Sequence, residues 1–352
     1  MVKNLNKSLM RVLGLSFLVG MSSMSFADIV MNSGTNQASL SWSSEEANQL
    51  LNGDVSASVN KADEPSPQGS AKITTSIRSS NGAVQSSPTK TVQIFDTSAS
   101  FNQPSINARS ALVMDGQTGE VLYSKNSNTA FPIASITKLM TAVIIADARL
   151  NMSENITLQQ IDFAGAGGKN SSSTLRAGDS MNRAEALLFA LMKSENPAAA
   201  ALARTYPGGR AAFVSAMNAK AKSLGMNSTR YVESSGLDPR NISSARDLGI
   251  LVNSASQYGL IRQFSTTPSY DFNLGYRVLK SNNTNALVRN GGWNINISKT
   301  GYINEAGRCV VMHTTLNNRP AVVVLLGADS SAARTNDATK LMTWVSQLPK
   351  RI

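Results

Sequence analysis

The sequence of 352 residues predicts a mixed α/β (α+β) fold, in which helices flank an antiparallel sheet built from both ends of the folded part. The first observation is apolar alternation in 111–114 and 121–123 around a polar turn, which is typical of a β-hairpin. The second is a trio of strand patterns, which lie near 293–300, 307–317 and 320–328. The third is the mainly helical character of residues 150 to 285. Strands at both ends with helices between them predict one sheet whose terminal segments meet, beside an all-helical subdomain.

The helices follow from apolar residues spaced three and four apart. Pro132 precedes a helix predicted from about Ala134 to Arg149, in which Leu139, Val143 and Ala146 share one face. Further helices are predicted at 182–193, 195–206, 209–224, 245–258 and 332–348. We therefore assign an α/β part to about 105–150 and 286–352, and a helical part to about 151–285.

Residues 1–27 have the pattern of a secretory signal peptide. Basic residues at Lys3, Lys7 and Arg11 come before an apolar run from Val12 to Met21, and Ser25-Phe26-Ala27 offers small residues at a cleavage site. The alternative is a membrane anchor, but an uncleaved span needs roughly 20 apolar residues. We expect cleavage after Ala27, export of the mature chain and no stable membrane anchor.

Residues 28–104 form a Ser/Asn/Gln-rich tail that is predicted to be disordered. Prolines interrupt any periodicity, and scattered apolar residues cannot bury enough surface to offset the entropy of ordering. Acidic residues outnumber basic ones, so this tail carries a net charge of about −3. Its composition does not indicate a partner.

The basic character of the chain belongs to residues 105–352. The formal net charge of the whole sequence is +11, and about +11 remains on the folded part without the signal peptide and the tail. Nucleic acid is not expected as a partner, because the basic residues are dispersed, aromatics make up 6% and the chain is exported. A solvated basic surface and attraction to an anionic cell-wall polymer remain open as interpretations.

The cysteine and histidine counts exclude several kinds of site. A single cysteine excludes a disulfide framework, a four-cysteine zinc site and an iron–sulfur cluster. A single histidine excludes the HExxH zinc motif and any three-histidine metal site. We predict no metal and no cofactor. A Ser-His-Asp triad would require His313, so hydrolytic chemistry should run without histidine.

Three short motifs stand out by their order, spacing and placement. They are Ser135-Ile136-Thr137-Lys138, Ser194-Glu195-Asn196 and Lys299-Thr300-Gly301. The first two also occur elsewhere, as Ser87-Pro88-Thr89-Lys90 in the tail and as Ser153-Glu154-Asn155. The third occurs once.

Ser135 and Lys138 lie three residues apart at the start of a predicted helix and therefore share one face. A lysine can take the serine proton only when it is neutral, so burial or a neighbouring cation must lower its pKa from about 10.4. Lys299, on a strand expected to face this helix, could supply such a cation and bind a substrate carboxylate. The helix N-terminus adds backbone N–H groups that can stabilise an oxyanion. This arrangement is a serine nucleophile with a lysine base.

With these motifs the chain resembles a low-molecular-mass penicillin-binding protein of the serine D-Ala-D-Ala peptidase family (S11). It is most similar to the D-alanyl-D-alanine endopeptidases of the penicillin-binding protein 7/8 type. Three further segments between about Ser110 and Ile352 carry the resemblance: Ser172 to Asp179, Tyr231 to Leu237 and Gly301 to Gly307. The resemblance implies a β-lactamase/transpeptidase-like fold and a periplasmic location.

The resemblance also implies a role for each motif residue. Ser135 would be acylated, Lys138 would be its general base, and Ser194 would relay a proton to the leaving amine. Asn196 would bind the substrate backbone, and the Lys299-Thr300-Gly301 strand would bind the substrate carboxylate region. The backbone N–H groups of Ser135 and Tyr302 would form the oxyanion hole. The implied partners are peptidoglycan stem peptides, with β-lactam antibiotics as covalent inhibitors.

Several alternatives stay open. A β-lactamase shares the three motifs, but the segment around Glu233 lacks the ExxLN pattern of class A enzymes. A non-catalytic wall-binding scaffold is a third hypothesis. Within the peptidases, a chain that stops about 50 residues after Lys299 lacks the C-terminal β-domain and anchor usual in related carboxypeptidases. That comparison favours cleavage of D-Ala–diaminopimelate cross-links, with D-alanyl-D-alanine carboxypeptidase activity as the alternative.

Four other features are predicted to be structural. Glu195 is expected to be a solvated helix residue, and His313 a surface or packing residue. Cys309 is expected to be a small buried side chain. The glycine-rich run 164–169 lacks P-loop spacing and is expected to be a flexible loop near the cleft.

Overall fold

A computed structural model describes residues 30–31, 38–39, 103–165 and 173–349. The chain divides into two units, Met1–Ser41 and Trp42–Ile352. The predicted signal peptide lies outside the described residues. The same holds for most of the predicted tail and for its boundary at residue 27.

The described elements follow in chain order. The strands are β1 (Val30–Met31), β2 (Ala38–Ser39), β3 (Ser110–Asp115), β4 (Val121–Lys125), β5 (Ala130–Pro132), β6 (Asn155–Thr157), β7 (Ser180–Asn182), β8 (Ile242–Ser244), β9 (Ser269–Asn273), β10 (Val278–Asn282), β11 (Asn294–Ile303), β12 (Gly307–Leu316) and β13 (Arg319–Ala328). The α-helices are α1 (Thr137–Asp147), α2 (Arg183–Leu188), α3 (Asn196–Arg204), α4 (Gly209–Ser223), α5 (Ala245–Ala255), α6 (Gly259–Thr266), α7 (Ala286–Asn290) and α8 (Ser331–Gln347). Single turns of 3₁₀ or π helix lie at Ala134–Ile136, Gln160–Phe163 and Phe189–Lys193.

Strands β1 and β2 form a short antiparallel pair in the first unit, with Val30 opposite Ser39. They fall within the tail that the sequence predicts to be disordered. The rest of that prediction, up to residue 102, lies outside the described residues.

The central sheet of the second unit has five antiparallel strands in the order β11-β12-β13-β3-β4. The predicted hairpin is β3–β4, and the predicted trio is β11–β12–β13. Strand β13 pairs with β3, with Val323 opposite Val113, so the two ends of the folded part meet as predicted.

The predicted helical part also contains strands, so the expectation of an all-helical subdomain is wrong in detail. Strands β6 and β7 pair with each other, β8 pairs with β5, and β9 pairs with β10. These strands have three to five residues, and Phe272 and Ser281 are the buried positions of the β9–β10 hairpin. So short a run with so few buried residues gives little alternating signal in the sequence.

Helices cover both faces of the sheet. Helix α8 packs on one face, where Leu341 and Met342 join Val113 and Val323 in a hydrophobic core cluster. Helix α5 packs on the other face, where a Cβ at Gly249 would lie 2.7 Å from Leu112 Cδ2. Glycine at this position therefore lets helix and sheet approach closely. No helix of the described part combines the length and apolar character needed to span a membrane.

The edge strand β11 positions the site. It packs against the Ala134–Ile136 turn and against helix α6. Its inner half, Ile297 to Gly301, is buried although it carries polar and charged side chains. A buried lysine in such a strand requires partners, because an unpaired buried charge costs several kcal/mol.

Candidate active site

Ser135 lies in the tight 3₁₀ turn that leads into helix α1. The preceding Ala134 has a positive φ of 48°, which is uncommon for a residue with a side chain. The Thr137 hydroxyl donates to the Ala134 carbonyl at 2.8 Å and holds this turn. Gly236 packs directly against it, since a Cβ there would lie 1.9 Å from the same carbonyl oxygen. The turn therefore presents Ser135 in a conformation fixed by its neighbours.

Lys138 is fully buried and its Nζ donates three hydrogen bonds. The acceptors are Ser135 Oγ at 2.9 Å, Asn196 Oδ1 at 2.6 Å and the Ser235 carbonyl at 2.7 Å. The predicted proximity of Ser135 and Lys138 is present, and the second motif contributes Asn196 to the same group of side chains. The Ser235 carbonyl was not predicted, because a backbone acceptor leaves no mark in the sequence.

The environment of Lys138 lowers its pKa to about 7, chiefly through burial. The carboxylates of Glu233 and Glu195 act in the opposite direction and raise this pKa. The sequence left burial and a neighbouring cation open as causes; burial is the one found here. An amine with a pKa near 7 is neutral in a large fraction of molecules at neutral pH and can accept the Ser135 proton.

A carboxylate shapes the loop that carries Ser235. Glu233 accepts hydrogen bonds from the backbone N–H and the hydroxyl of Ser235, both at 2.6 Å, and from the Gly236 N–H. Asn241 donates to the same carboxylate at 2.8 Å and to the Glu233 carbonyl at 2.9 Å. Since Ser235 accepts from Lys138, Glu233 positions one of the three acceptors of the base.

Ser194 and Lys299 form a second pair of hydroxyl and amine. Ser194 ends the π-helical turn with φ 66°, and Lys299 Nζ donates to its Oγ at 2.8 Å. Lys299 is 1% exposed and also donates to the Thr300 carbonyl at 2.9 Å. The Thr300 hydroxyl donates to Thr284 Oγ1 at 2.6 Å. The structure thus brings the second and third motifs together, and adds Thr284, which the sequence did not indicate.

The charges that act on Lys299 are opposite in sign to those that act on Lys138. Burial lowers the pKa of Lys299 well below its usual value, and the charges of Lys138 and Arg334 lower it further. Arg334, on helix α8, is 8% exposed and forms no ion pair with a carboxylate of the described residues. The sequence did not single out Arg334. This side of the site is suited to an anionic group.

Gly301 allows strand β11 to approach the nucleophile. A Cβ at this position would lie 3.0 Å from the Ile133 carbonyl and 3.1 Å from the Ser135 nitrogen. The backbone after Gly301 therefore runs beside Ser135, as an oxyanion hole formed by the N–H groups of Ser135 and Tyr302 requires. The Tyr302 side chain points outward, with 47% of it exposed, and the Arg308 guanidinium lies 3.5 Å from its ring centre.

The prediction that Glu195 is solvated is wrong. It is 5% exposed and accepts hydrogen bonds from the Ser173 hydroxyl at 2.5 Å and the Thr174 hydroxyl at 2.7 Å. Glu195 precedes helix α3 in extended conformation, which turns its side chain inward towards the 173–174 segment. The segment that begins at Ser172 is thus hydrogen-bonded, through Ser173 and Thr174, to the Ser194-Glu195-Asn196 motif.

The remaining features have structural roles. His313 is 9% exposed in β12, beside Gly116, and burial lowers its pKa, which confirms the packing role. Burial raises the pKa of Cys309 to about 11, so this thiol is a poor nucleophile. Residues 166–169 of the glycine-rich run and Ser87 lie outside the described residues. Ser153 is exposed in the turn before β6. In the described part, no three His, Cys, Asp or Glu side chains come together as metal ligands.

Comparison with known sequences gives a consistent picture. A family model described as D-alanyl-D-alanine carboxypeptidase, peptidase S11, matches residues 97–330. The chain is 46% identical over 250 residues to a D-alanyl-D-alanine endopeptidase of Pseudomonas aeruginosa, covering 69% of this chain and 78% of the relative. It is 46% identical over 247 residues to the Escherichia coli protein of the same name, covering 69% and 79%.

Solved structures give the same fold. The Streptomyces K15 DD-transpeptidase superposes with a TM-score of 0.63 at 29% identity, covering 69% of this chain and 98% of that one. A D-alanyl-D-alanine carboxypeptidase of Mycobacterium tuberculosis gives a TM-score of 0.65 at 26% identity, covering 72% and 96%. The chain belongs to the S11 family of serine D-Ala-D-Ala peptidases, with a β-lactamase/transpeptidase-like fold.

Proposed function

We propose that this protein is a D,D-endopeptidase that hydrolyses D-Ala–diaminopimelate cross-links of peptidoglycan through an acyl-enzyme on Ser135. The observation that carries the proposal is the hydrogen bond of 2.9 Å from the buried Lys138 amine to Ser135 Oγ. It joins a nucleophile to a base whose pKa lies near 7.

In the acylation step, neutral Lys138 takes the proton of Ser135 as Oγ attacks the carbonyl carbon of the D-alanine. The carbonyl oxygen becomes an oxyanion, which the backbone N–H groups of Ser135 and Tyr302 stabilise. Lys138 is then an ammonium, and its hydrogen bonds to Asn196 and the Ser235 carbonyl keep it in place.

Ser194 and Lys299 serve the leaving group. As the C–N bond breaks, the leaving amine takes a proton from the Ser194 hydroxyl. Ser194 recovers a proton from the Lys138 ammonium, which returns Lys138 to its neutral form for the second half of the reaction. Lys299 Nζ donates a hydrogen bond to Ser194 Oγ at 2.8 Å, and the positive charge of Arg334 acts on Lys299. An anionic group of the leaving peptide is attracted there. Water then attacks the ester carbonyl with Lys138 as base, releasing the donor peptide and regenerating Ser135.

A β-lactam ring offers the same enzyme a cyclic amide. Ser135 would open it, but the amine stays attached to the acyl group and blocks the approach of water. We therefore expect long-lived adducts with penicillin rather than turnover. Rapid turnover would instead favour the β-lactamase hypothesis.

The choice of endopeptidase rests on the relatives. The two proteins that are 46% identical are named endopeptidases, whereas carboxypeptidases of Bacillus subtilis and Escherichia coli are 33% and 29% identical. Carboxypeptidase activity on the same site is the alternative, because both reactions share one acyl-enzyme. We also propose a periplasmic location after removal of residues 1–27, which the basic start and apolar run of this segment support.

The test compares two defined substrates. Purified protein is incubated with D-Ala–diaminopimelate cross-linked dimers and with pentapeptide monomers, and the products are read by mass spectrometry. We expect dimers to become monomers faster than pentapeptides lose D-alanine. Rapid D-alanine release with intact dimers would support the carboxypeptidase, and cleavage of neither substrate would support the non-catalytic scaffold.

A further inference from the structure

A cavity of about 470 Å³ shares two lining residues, Asn196 and Ser235, with the candidate active site. Asn196 Oδ1 and the Ser235 carbonyl oxygen lie 2.6 and 2.7 Å from Lys138 Nζ, and both residues line the cavity. An extended peptide advances by about 3.3 Å per residue. Because Nζ also lies 2.9 Å from Ser135 Oγ, the lining oxygens are two hydrogen-bond lengths from that hydroxyl, and the residue next to the D-alanine of a bound peptide would come within reach of the cavity.

The cavity has two walls. The helix wall is formed by helices α3 and α4 with the 3₁₀ turn Gln160–Phe163, and the loop wall is formed by the loop that carries Ser235. Small and apolar side chains from helices α3 and α4 line much of it, among them Ala200, Ala203 and Val214. Asp162 and Arg210 contribute charge from the 3₁₀ turn and from the start of α4. Glu233 and Asp238 contribute charge from the loop that carries Ser235.

The helix wall carries a net positive charge. The fully buried carboxylate of Asp162 pairs with Arg204 at 2.9 Å and with Arg210 at 2.7 Å, so two cations face one anion. Of these two arginines, Arg210 lines the cavity, and its side chain is 38% exposed. Its hydrogen bonds to described residues run through Nη2, and its Nε is buried without a partner.

The loop wall carries a net negative charge. Arg240 pairs with Asp238 at 2.6 Å and neutralises it. Glu233 is hydrogen-bonded to uncharged donors, namely Ser235, Gly236 and Asn241, and forms no ion pair with a described residue. Its charge acts on Lys138, whose proposed role as a base requires the neutral form. One wall thus favours an anion and the other a cation.

We propose that this cavity binds a zwitterionic amino-acid side chain, the free D-centre of the diaminopimelate that precedes D-alanine in the acyl-donor peptide. The inference rests on the proposed function. The carboxylate of the bound side chain is held by Arg210, its ammonium group faces Glu233 on the loop wall, and its methylene chain lies on the alanines. A volume of about 470 Å³ accommodates such a side chain with its water.

The test uses three cross-linked donor peptides that differ in the third residue alone: meso-diaminopimelate, its D-centre carboxamide, and L-lysine. The carboxamide removes the negative charge and leaves the size unchanged. We expect kcat/KM for the acid to exceed that for the carboxamide and for lysine by about tenfold, which corresponds to about 1.4 kcal/mol.

Arg204 supplies a matched control for Arg210, because both contact Asp162 but Arg210 alone of the two lines the cavity. We expect Arg210→Gln to bring the acid-to-carboxamide ratio near one and Arg210→Lys to retain part of it. Arg204→Gln should keep the wild-type ratio. Thermal unfolding of both glutamine variants reports the shared loss of an ion pair.

Three results would overturn the inference. Equal kcat/KM for the acid and the carboxamide in the wild-type enzyme would overturn it and leave the peptidase function intact. An equal loss of the ratio in Arg204→Gln and Arg210→Gln would assign the effect to Asp162 and overturn it as well. Cleavage of none of the three peptides would overturn the proposed function together with the inference.

Discussion

The two buried lysines of this site differ in their neighbours rather than in their burial. Lys138 and Lys299 are both at most 1% exposed, and each donates to a serine hydroxyl at 2.9 or 2.8 Å. Carboxylates face Lys138 and raise its pKa back to about 7, whereas cations face Lys299 and lower its pKa further. We propose that the same side chain serves on one element as the base beside Ser135, and on the other as the hydrogen-bond donor to Ser194 beside the charge of Arg334, which attracts an anion.

Removal of the first lysine should have the largest effect. Lys138→Met leaves Ser135 without a base, so we expect the rate of acylation by penicillin to fall by at least about 10³-fold. Stopped-flow or gel-based labelling measures this rate. A variant that is acylated at more than a tenth of the wild-type rate would show that another group takes the Ser135 proton.

Removal of the second lysine should have a smaller effect of another kind. Lys299→Met removes the donor to Ser194 and the attraction for an anionic group, so we expect kcat/KM to fall by about 10²-fold. The loss should be larger for substrates with a carboxylate on the leaving side than for an ester without one. An equal loss for both substrates would contradict the distinction between the two lysines.

The distance between strand β11 and Ser135 can be increased by adding one methyl group at Gly301. Gly301→Ala places a Cβ 3.0 Å from the Ile133 carbonyl, and the strand must yield by a few tenths of an ångström. We expect acylation to slow by about tenfold, because a misplaced oxyanion hole stabilises the transition state less well. Unchanged acylation kinetics would place the oxyanion hole elsewhere.

The pKa of Lys138, which burial lowers and two carboxylates raise, sets the pH profile. Acylation needs neutral Lys138, so its rate should rise with pH through about 7 and level off above it. Glu233→Gln removes the carboxylate that raises this pKa most, so the midpoint should move to lower pH. Glu195→Gln, which removes the weaker contributor, should move it in the same direction by less. A midpoint that stays fixed or moves upward in Glu233→Gln would contradict this account of the base.

Much of the site could be predicted because its chemistry depends on particular side-chain types at fixed spacing along the chain. Ser135 and Lys138 lie one helical turn apart in any helix, and Lys299-Thr300-Gly301 lies on a strand that alternation reveals. That the second and third motifs meet them is a tertiary fact, which followed from the resemblance and not from spacing.

The parts that were missed act through the backbone or over long sequence distances. The Ser235 carbonyl has no sequence signature. Thr284, in the loop after β10, and Arg334, in helix α8, reach the site through packing that cannot be derived from their own residues. Glu195 was misassigned because a helix start suggests solvent, whereas the extended backbone turns its side chain inward. The strands β6 to β10 were missed because each has only three to five residues, which is too short to give an alternating pattern.

The most direct test of the central claim is peptide mapping after reaction with penicillin. We expect mass spectrometry of the digested protein to place the penicilloyl adduct on the peptide that contains Ser135. Ser135→Ala should abolish the adduct, and Ser87→Ala, at the other SxxK sequence, should leave it intact. An adduct on any other peptide, or one that persists in Ser135→Ala, would contradict the assignment of Ser135 as the nucleophile activated by Lys138.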